Sequence, residues 1–263
     1  MPRLRAMEDL QELVWGGDYR AVVPAHMLYI VATSGGIVLG AYVDGQLAGF
    51  VLGLLAQRDG RLYHASHMLG IHPDHQGGGI GAALKWQQRE RALAQGLDLM
   101  TWTFDPLEAR NAHFNLHKLG VISRTYLENV YGDMADRLNQ GLPSDRLYVE
   151  WSLRSTFKTQ AGRARRVPGR ARQEPAPTAE RMVSVLRNDA GMPVLQLDPA
   201  PGAPLSIEVP DAIQRIKQEH PQLALRWRLA LREALTWAFD HDYVVRDFVR
   251  GAYALVPDNK DLR

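Results

Sequence analysis

The sequence predicts an α+β fold, with a mixed, mainly antiparallel sheet flanked by helices and a C-terminal α+β extension. Three observations lead to this prediction. Asp44-Gly45 separates two apolar stretches, which is a strong signal for an antiparallel hairpin. The stretch Arg61–Ile71 runs into a Gly-rich turn and then into an apolar helical face, which is typical of a strand-to-helix crossover. Between residues 156 and 180 the composition changes to Arg and Pro without apolar periodicity.

The first half of the chain is expected to alternate between helices and strands. Gly96 and Gly120 mark helix ends, and Pro106 marks a helix start. In chain order we expect a very short first strand, a helix near Glu8–Trp15, a helix ending at Gly35 and Gly36, the two hairpin strands, a strand over Arg61–Ile71, a helix from Ile80 to about Gln95, a strand over 97–104, a helix from Asp105 to Leu119, and strands over 121–132 and 146–153.

The second half contains a basic stretch and a smaller set of elements. Residues 156–180 are interpreted as a linker or surface excursion; a nucleic-acid-binding stripe is the alternative, but the stretch lacks interleaved aromatic residues. Short strands are expected over 182–188, 193–198 and 205–210, then a helix from Pro221 to Phe239 packed on the small sheet, then two further strands. The predicted domains are 1–155, 156–180 and 181–263.

Composition limits the classes of function. The 263 residues are 46% hydrophobic and carry a formal net charge of +2, so neither a nucleic-acid nor a membrane partner is expected. The chain has no cysteine, which excludes disulfides, thiolate metal sites and cysteine nucleophiles. Charges interrupt the opening residues where a signal peptide would be apolar, and Asp44 interrupts the longest apolar region. We therefore expect a cytoplasmic protein.

The Gly-rich turn, IHPDHQGGGIGAAL over Ile71–Leu84, needs a chemical reason. Glycine near a helix start costs up to about 1 kcal/mol relative to alanine. Free N–H groups at a helix N-terminus form an anion site, and glycines let a phosphate approach closely. The P-loop pattern fails because Ala82 follows Gly81. The dinucleotide pattern is formally met, but five residues separate the strand from Gly77.

A third pattern matches. The residues Ile71 to Gly81 resemble the acyl-CoA signature of the GCN5-related N-acetyltransferases (GNAT), and the order of elements over Pro2–Ser155 resembles that family. The stretch His117–Val121 resembles the end of a family helix, with Val121 in place of the usual aromatic residue. The resemblance implies a GNAT-like sheet and coenzyme A, whose diphosphate the turn would bind and whose pantetheine arm would pair with the strand end. The implied coenzyme-binding residues are Leu69, Gly70, Ile71, Gln76, Gly77, Gly78, Gly79, Ile80 and Gly81.

The resemblance also suggests catalytic residues. Some family members that acetylate arylalkylamines have a histidine base where this chain has His67, which alternation places on the same strand face as Ala65 and Leu69; a histidine packed within the sheet is the alternative. The family's usual leaving-group acid is a tyrosine, but this position holds Leu116. Tyr126 or Tyr131 in the next segment could supply the proton, with Tyr131 preferred, unless the thiolate leaves without a dedicated acid.

Two further groups of polar residues are candidates for ligand or metal binding. Asn111 and Asn115 lie one helical turn apart and either face solvent or bond the pantetheine amides. His113 and His117 have i, i+4 spacing without the glutamate of a zinc-binding helix. A third ligand is not evident, so no metal is expected. The other histidines near the turn are His64, His67, His72 and His75, and the first two are expected on opposite strand faces.

These observations predict an acyl-CoA-dependent N-acyltransferase that uses acetyl-CoA or another acyl-CoA and transfers the acyl group directly to a small amine or amino acid. A non-catalytic acyl-CoA-binding sensor is the alternative, because Leu116 stands where the acid is expected. Arg124 or Arg146 could recognise a carboxylate, or either could be a surface charge. The C-terminal module either covers the acceptor site, forms a homodimer contact, or completes the core.

Overall fold

The structure is a computed structural model that describes residues 1–16, 22–134, 136, 138–154 and 182–258. The chain divides into two compact units. Unit 1 comprises Met1–Trp102, Ala135–Gln140 and Trp151–Arg154, and unit 2 comprises Thr103–Met134, Gly141–Glu150 and Ser155–Arg263. The Arg/Pro-rich stretch 156–180 lies outside the described residues, and the predicted domain boundaries stay a prediction.

Unit 1 has a small sheet with helices. The strand order is β1-β2-β3-β4; β1, β2 and β3 are antiparallel neighbours, and β4 runs parallel to β3. The predicted hairpin is confirmed, with Asp44 and Gly45 both at positive φ between β1 and β2. The elements are α1 (Pro2–Trp15), α2 (Ala25–Thr33), β1 (Ile37–Val43), β2 (Gln46–Arg58), β3 (Arg61–Ile71), α3 (Ile80–Ala94) and β4 (Leu99–Phe104), of which residues 99–102 belong to unit 1.

The predicted first strand is wrong, because α1 begins at Pro2. Proline fits the first helical turn, where its missing N–H has no intrahelical partner. Met7 and Leu10 lie three residues apart on one helical face, and both are buried against Phe50 of β2. Burial of this face therefore favours helix from the second residue onward.

A buried polar network lies between α3 and β3. Lys85 Nζ donates to Ser66 Oγ at 2.9 Å and to Gln88 Oε1 at 3.2 Å, and it lies 3.6 Å from the centre of the Trp102 ring. Gln88 Nε2 lies 3.0 Å from His64 Nε2. Lys85 is 2% exposed, and its burial holds its pKa well below the ordinary 10.5. Burial lowers the pKa of His64 to about 4.

Unit 2 has a longer sheet, in the order β6-β5-β10-β11-β9-β7-β8. Among the described residues its strands pair in antiparallel fashion except for β7 with β9, which are parallel. The elements are α4 (Ala109–Ala112) with a π-helical turn (His113–Lys118), β5 (Ile122–Leu127), β6 (Arg146–Ser152), β7 (Val183–Asp189), β8 (Met192–Leu195), β9 (Leu205–Glu208), α5 (Ile213–Glu219), α6 (Pro221–Asp240), β10 (Tyr243–Val249) and β11 (Ala252–Pro257). The predicted α+β class with a mixed, mainly antiparallel sheet is confirmed.

Two predictions for unit 2 need correction. The helix expected from Asp105 begins at Ala109, because Asp105 Oδ1 accepts the Leu107 amide at 2.9 Å and closes a turn instead. Helix α5 was not expected from the sequence. The long helix α6 is confirmed, and its Trp227 side chain is completely buried. No helix in the described ranges is long and apolar enough to cross a membrane.

We predict that Lys85→Met stabilises the protein most at neutral pH. The folded-state pKa of Lys85 is lowered, so the unfolded chain binds more protons between that pKa and 10.5, and this residue's contribution makes stability rise with pH. The variant should therefore melt at a higher temperature at pH 7, by about 2–4 °C for each kcal/mol gained, and its advantage should shrink as pH approaches 10.

The measurement is thermal unfolding from pH 6 to 10, with the exposed Lys118→Met as a matched control. The control should differ little from the parent chain at any pH. A Lys85→Met advantage that is absent, or that does not change with pH, would show that the buried amine keeps its proton over the Trp102 ring.

Candidate active site

The turn between β3 and α3 has a backbone that only glycine adopts readily. A short 3-10 turn over Pro73–His75 leads into the glycines. Gly77 has φ +82° and Gly79 has φ +85°, both in the left-handed region. Gly79 caps α3, which begins at Ile80. The two positive φ angles explain why the turn needs glycine at these two positions.

The main-chain amides of this turn are free to bind an anion. Within the described residues, no acceptor takes a hydrogen bond from the N–H groups of Gly77 to Gly81. A Cβ placed on Gly77 or Gly79 would meet nothing within 4 Å, and one on Gly78 would meet only the His75 carbonyl oxygen at 3.6 Å. Open space above unbonded N–H groups at a helix N-terminus fits a diphosphate group.

Strand β3 has a free edge beside this turn. Its pairing with β4 covers only His64 and Ala65, opposite Met100 and Thr101. Its pairing with β2 continues to Ile71. Within the part of the chain that the structure describes, the stretch 66–71 therefore has one main-chain edge without a strand partner. An extended amide-containing arm could pair with that edge.

His67 lies at a β-bulge that the sequence did not reveal. Leu52 of β2 faces Met68, and Gly53 faces Ser66, so His67 has no partner in the register. The bulge interrupts the alternation on which the predicted shared face of His67, Ala65 and Leu69 depended. Bulges are frequent next to active sites because they change the direction of a side chain and leave a residue unpaired.

The environment of His67 suits a base. The side chain is exposed, and its ring has no hydrogen-bond partner among the described residues. Partial desolvation lowers the pKa of His67 from the ordinary 6.5, so the neutral imidazole predominates at pH 7. His64, three residues earlier, is completely buried, as expected for the opposite face.

Tyr126 in unit 2 is held in a network of charges. Its hydroxyl donates to Asp145 Oδ2 at 2.7 Å, and Arg232 binds the same carboxylate through two nitrogens at 2.9 Å. Desolvation, rather than the nearby Arg228 charge, dominates its titration and raises the pKa of Tyr126. The phenol therefore keeps its proton throughout the neutral range.

Tyr131 in unit 2 is more accessible. Its side chain is 50% exposed, and its main-chain N–H donates to Ser144 Oγ at 2.9 Å. The Arg146 guanidinium carbon lies 5.2 Å from the centre of the Tyr131 ring. The backbone is thus fixed, while the phenol faces solvent beside a cation.

The two asparagines have different environments. Asn111 of α4 is exposed, whereas Asn115 is buried within the π-helical turn. The Val121 amide donates to the Asn115 carbonyl oxygen at 3.2 Å. Leu116, where the resemblance implied a tyrosine, is 1% exposed and belongs to the core.

The histidine pair of the helix has a local partner. The His113 and His117 rings stack with centres 4.7 Å apart, and His117 Nδ1 lies 3.0 Å from Asp247 Oδ1 of β10. Among the described residues, no group of three His, Cys, Asp or Glu side chains is arranged to hold a metal ion.

Sequence reasoning missed two charged residues of α6. Arg228 and Arg232 lie one turn apart in α6, and Arg228 is 1% exposed. Their i, i+4 spacing was the available signal. Both bind carboxylates in unit 2, Arg228 to Asp105 and Arg232 to Asp145.

Comparison with solved structures finds similar acetyltransferases at low identity. The ribosomal-protein-S18-alanine N-acetyltransferase of Escherichia coli is 14% identical (TM-score 0.45; 58% of this chain and 89% of that chain covered). The aminoglycoside 6'-acetyltransferase type Ii is 17% identical (TM-score 0.46; 57% and 89%). Arabidopsis thaliana Naa50, in complex with the bisubstrate analogue CoA-Ac-MVNAL, is 19% identical (TM-score 0.46; 57% and 93%).

Comparison with curated proteins finds no significant match. A family model does match: residues 5–120 fit the model described as the Acetyltransferase (GNAT) family. That segment includes the Gly-rich turn, the bulged strand and the helix that ends at Gly120. Residues 5–120 are therefore similar to the GNAT acetyltransferase family.

Proposed function

We propose that this protein is an N-acyltransferase that transfers an acyl group, with acetyl as the first choice, from coenzyme A to a small amine or amino acid. The observation that carries the proposal is the turn of unbonded N–H groups from Gly77 to Gly81 with open space above it. The similarity of residues 5–120 to the GNAT family model and this turn together support an acyl-CoA substrate.

The coenzyme arm would bind along unit 1. The diphosphate oxygens would accept from the amides of Gly77, Gly78, Gly79, Ile80 and Gly81. The pantetheine amides would pair with the free edge at Leu69, Gly70 and Ile71, which has no strand partner. Gln76, whose side-chain amide lies 3.5 Å from the Ile71 carbonyl oxygen, would hold the turn against the strand. Asn111 and Asn115 are proposed as further contacts to the pantetheine.

His67 is proposed as the general base. The acceptor must lose a proton before its nitrogen can attack the thioester carbonyl carbon, and a neutral exposed imidazole can take that proton directly or through water. A main-chain N–H group at the bulge is proposed to stabilise the developing charge on the carbonyl oxygen. As the new C–N bond forms, the C–S bond breaks and the thiolate leaves.

Tyr131 is proposed as the acid that protonates the leaving thiolate. Its exposed phenol beside the Arg146 cation supports this choice over Tyr126, whose hydroxyl is committed to Asp145. Direct transfer needs no covalent enzyme intermediate, and the chain has no cysteine to form one.

The decisive test is thiol release from acetyl-CoA and other acyl-CoA thioesters against a panel of amines and amino acids. Turnover with at least one acceptor, together with mass spectrometry of the acylated product, supports the proposal. Coenzyme binding with no turnover on any acceptor would favour the non-catalytic sensor instead.

We predict that Gly79→Glu removes coenzyme binding. A carboxylate beside the diphosphate repels it, and the left-handed φ of +85° strains any residue with a Cβ. We expect the dissociation constant of coenzyme A to rise by about 100-fold or more, by calorimetry.

Gly60→Glu is the matched control. Gly60 also has a positive φ, of +76°, and open space around its Cβ position, but it lies in the hairpin turn between β2 and β3. Gly60→Glu therefore introduces the same backbone strain and the same charge, but away from the proposed diphosphate site. Equal affinities in the two variants would contradict the assignment of the turn.

We predict that His67→Ala lowers kcat by about 10²–10⁴ and leaves the affinity for coenzyme A within a few-fold. In the parent enzyme, the acid limb of the pH–rate profile should have an apparent pKa below 6.5, because desolvation lowers the pKa of His67. Steady-state rates from pH 5 to 9 measure both effects. If the pH–rate profile of His67→Ala has the same acid limb as that of the parent enzyme, His67 is not the general base and has a structural role.

A further inference from the structure

Unit 2 contains a cluster of buried charges, here called the arginine cluster and made of Asp105, Asp145, Arg146, Arg228 and Arg232. The cluster joins the turn after β4, the start of β6 and the middle of α6. Asp145 is completely buried and Arg228 is 1% exposed. Burying so many charged groups is costly unless each is paired and hydrogen-bonded.

The carboxylates of the cluster are well supplied with donors. Asp145 accepts from the Tyr126 hydroxyl, the Asn129 amide and the Nε and Nη2 atoms of Arg232, at 2.7–3.0 Å. Asp105 accepts from Arg228 Nη2 at 2.6 Å and from the Leu107 amide at 2.9 Å. Both carboxylates therefore have hydrogen bonds on each oxygen.

The donors of Arg228 are not all used. Its Nε and Nη1 atoms are buried, and no acceptor in the described part of the chain bonds to either. These two atoms carry three N–H groups. A buried donor without an acceptor costs free energy, and for a charged group the cost is larger. The cluster thus lacks acceptor oxygens, not donors.

The carboxylates around the cluster do not reach the remaining donors of Arg228. Three guanidinium groups face the two carboxylates of Asp105 and Asp145. At the margin, Glu128 pairs with Arg232, while Glu108 bonds to Gln214, and burial raises the pKa of the Glu108 carboxyl. These pairings leave the Nε and Nη1 atoms of Arg228 without an acceptor in the described part of the chain.

The cluster approaches the surface beside the proposed acid. The Arg146 side chain is 8% exposed and lies beneath the Tyr131 ring, and Asp105, which it approaches at 3.9 Å, is 18% exposed. Tyr131 itself is half-exposed, and exposed side chains reorient within nanoseconds. Movement of this ring would open a path toward Arg146 and then Arg228.

We propose that Arg228, with Arg146 beside it, binds a carboxylate of the acceptor, so that the substrate class is amines bearing a carboxylate, α-amino acids above all. Carboxylate oxygens supply the acceptors that Arg228 lacks, and a guanidinium group binds a carboxylate through two parallel hydrogen bonds. This inference rests on the proposed N-acyltransferase function, and it makes Arg228 a specificity residue rather than a catalytic one.

The test compares amino acids with their decarboxylated counterparts. The pairs phenylalanine and phenethylamine, histidine and histamine, tryptophan and tryptamine, and lysine and cadaverine differ in the carboxylate. We expect the parent enzyme to have at least about tenfold higher kcat/KM for the carboxylate-bearing member of the pairs it accepts. Equal values, or a preference for the decarboxylated amines, would overturn the inference while leaving the N-acyltransferase proposal intact.

Variants of the arginine cluster test whether it causes the preference for carboxylate-bearing amines. Arg228→Gln should reduce the ratio of the two kcat/KM values toward one, mainly through KM for the amino acid. Should Arg228→Gln fail to fold, Arg228→Lys keeps the charge beside Asp105 and removes the Nε and Nη1 donors, and the same loss of ratio is expected. Arg124→Gln is the matched control, because Arg124 already pairs with Asp258 and Glu150. A ratio that survives both Arg228 variants would overturn the assignment.

A binding measurement separates this inference from the chemistry. The melting temperature of the parent protein should rise with each amino acid that binds and stay constant with its decarboxylated partner, and Arg228→Lys should abolish the rise. A rise in melting temperature that Arg228→Lys abolishes would support the carboxylate site even if no thiol were released from acyl-CoA with any acceptor. The absence of thiol release would refute only the N-acyltransferase proposal. Stabilisation by neither member of any pair would leave ordered water as the partner of Arg228 and overturn the inference.

Discussion

The proposed chemistry depends on one constraint, which is that the amides from Gly77 to Gly81 make no hydrogen bond to the described chain. A helix that starts at Ile80 cannot satisfy these donors from within, because its first turn has no preceding carbonyl groups in position. Gly77 and Gly79 adopt left-handed φ angles, and no side chain covers the backbone of the turn at these two positions. The free edge of β3 leads directly to this turn, so one continuous main-chain surface of unit 1 could bind both a diphosphate and an amide-containing arm.

The bulge at His67 connects this surface to the proposed catalysis, and the buried network beneath β3 supports the bulge. Ser66 and His64, on its N-terminal side, are fixed by Gln88, and Lys85 bonds to Ser66 and Gln88. His64 Nδ1 has no hydrogen-bond partner in the described residues, but the other bonds of the network tie Ser66 and His64 to α3. His67 can therefore stay exposed and without a protein partner while the strand that carries it is held in place.

Local sequence signals predicted the elements well where one rule dominated. The Asp44-Gly45 hairpin, the Gly-rich turn and α6 follow from turn chemistry and periodicity. The prediction of a short first strand was wrong. Pro2 can begin a helix, and burial of the helix face that contains Met7 favours helix over the following residues. The bulge could not be predicted, because it depends on the register between two strands and leaves no mark in the composition of either. The orphan donors of Arg228 also depend on tertiary contacts, since no local pattern gives the fate of each N–H group.

Leu116 and Arg228 bear on the proposed acid and on the proposed carboxylate site. Leu116 is buried where the resemblance implied a tyrosine, so the proposed acid is Tyr131, whose ring contacts Arg146. Arg146 in turn approaches Asp105, which binds Arg228. The proposed acid and the proposed carboxylate site are thus linked by contacts within unit 2. An acceptor carboxylate that displaces the Tyr131 ring to reach the arginines would also change the position of the acid, so acceptor binding and proton delivery would be coupled through one side chain.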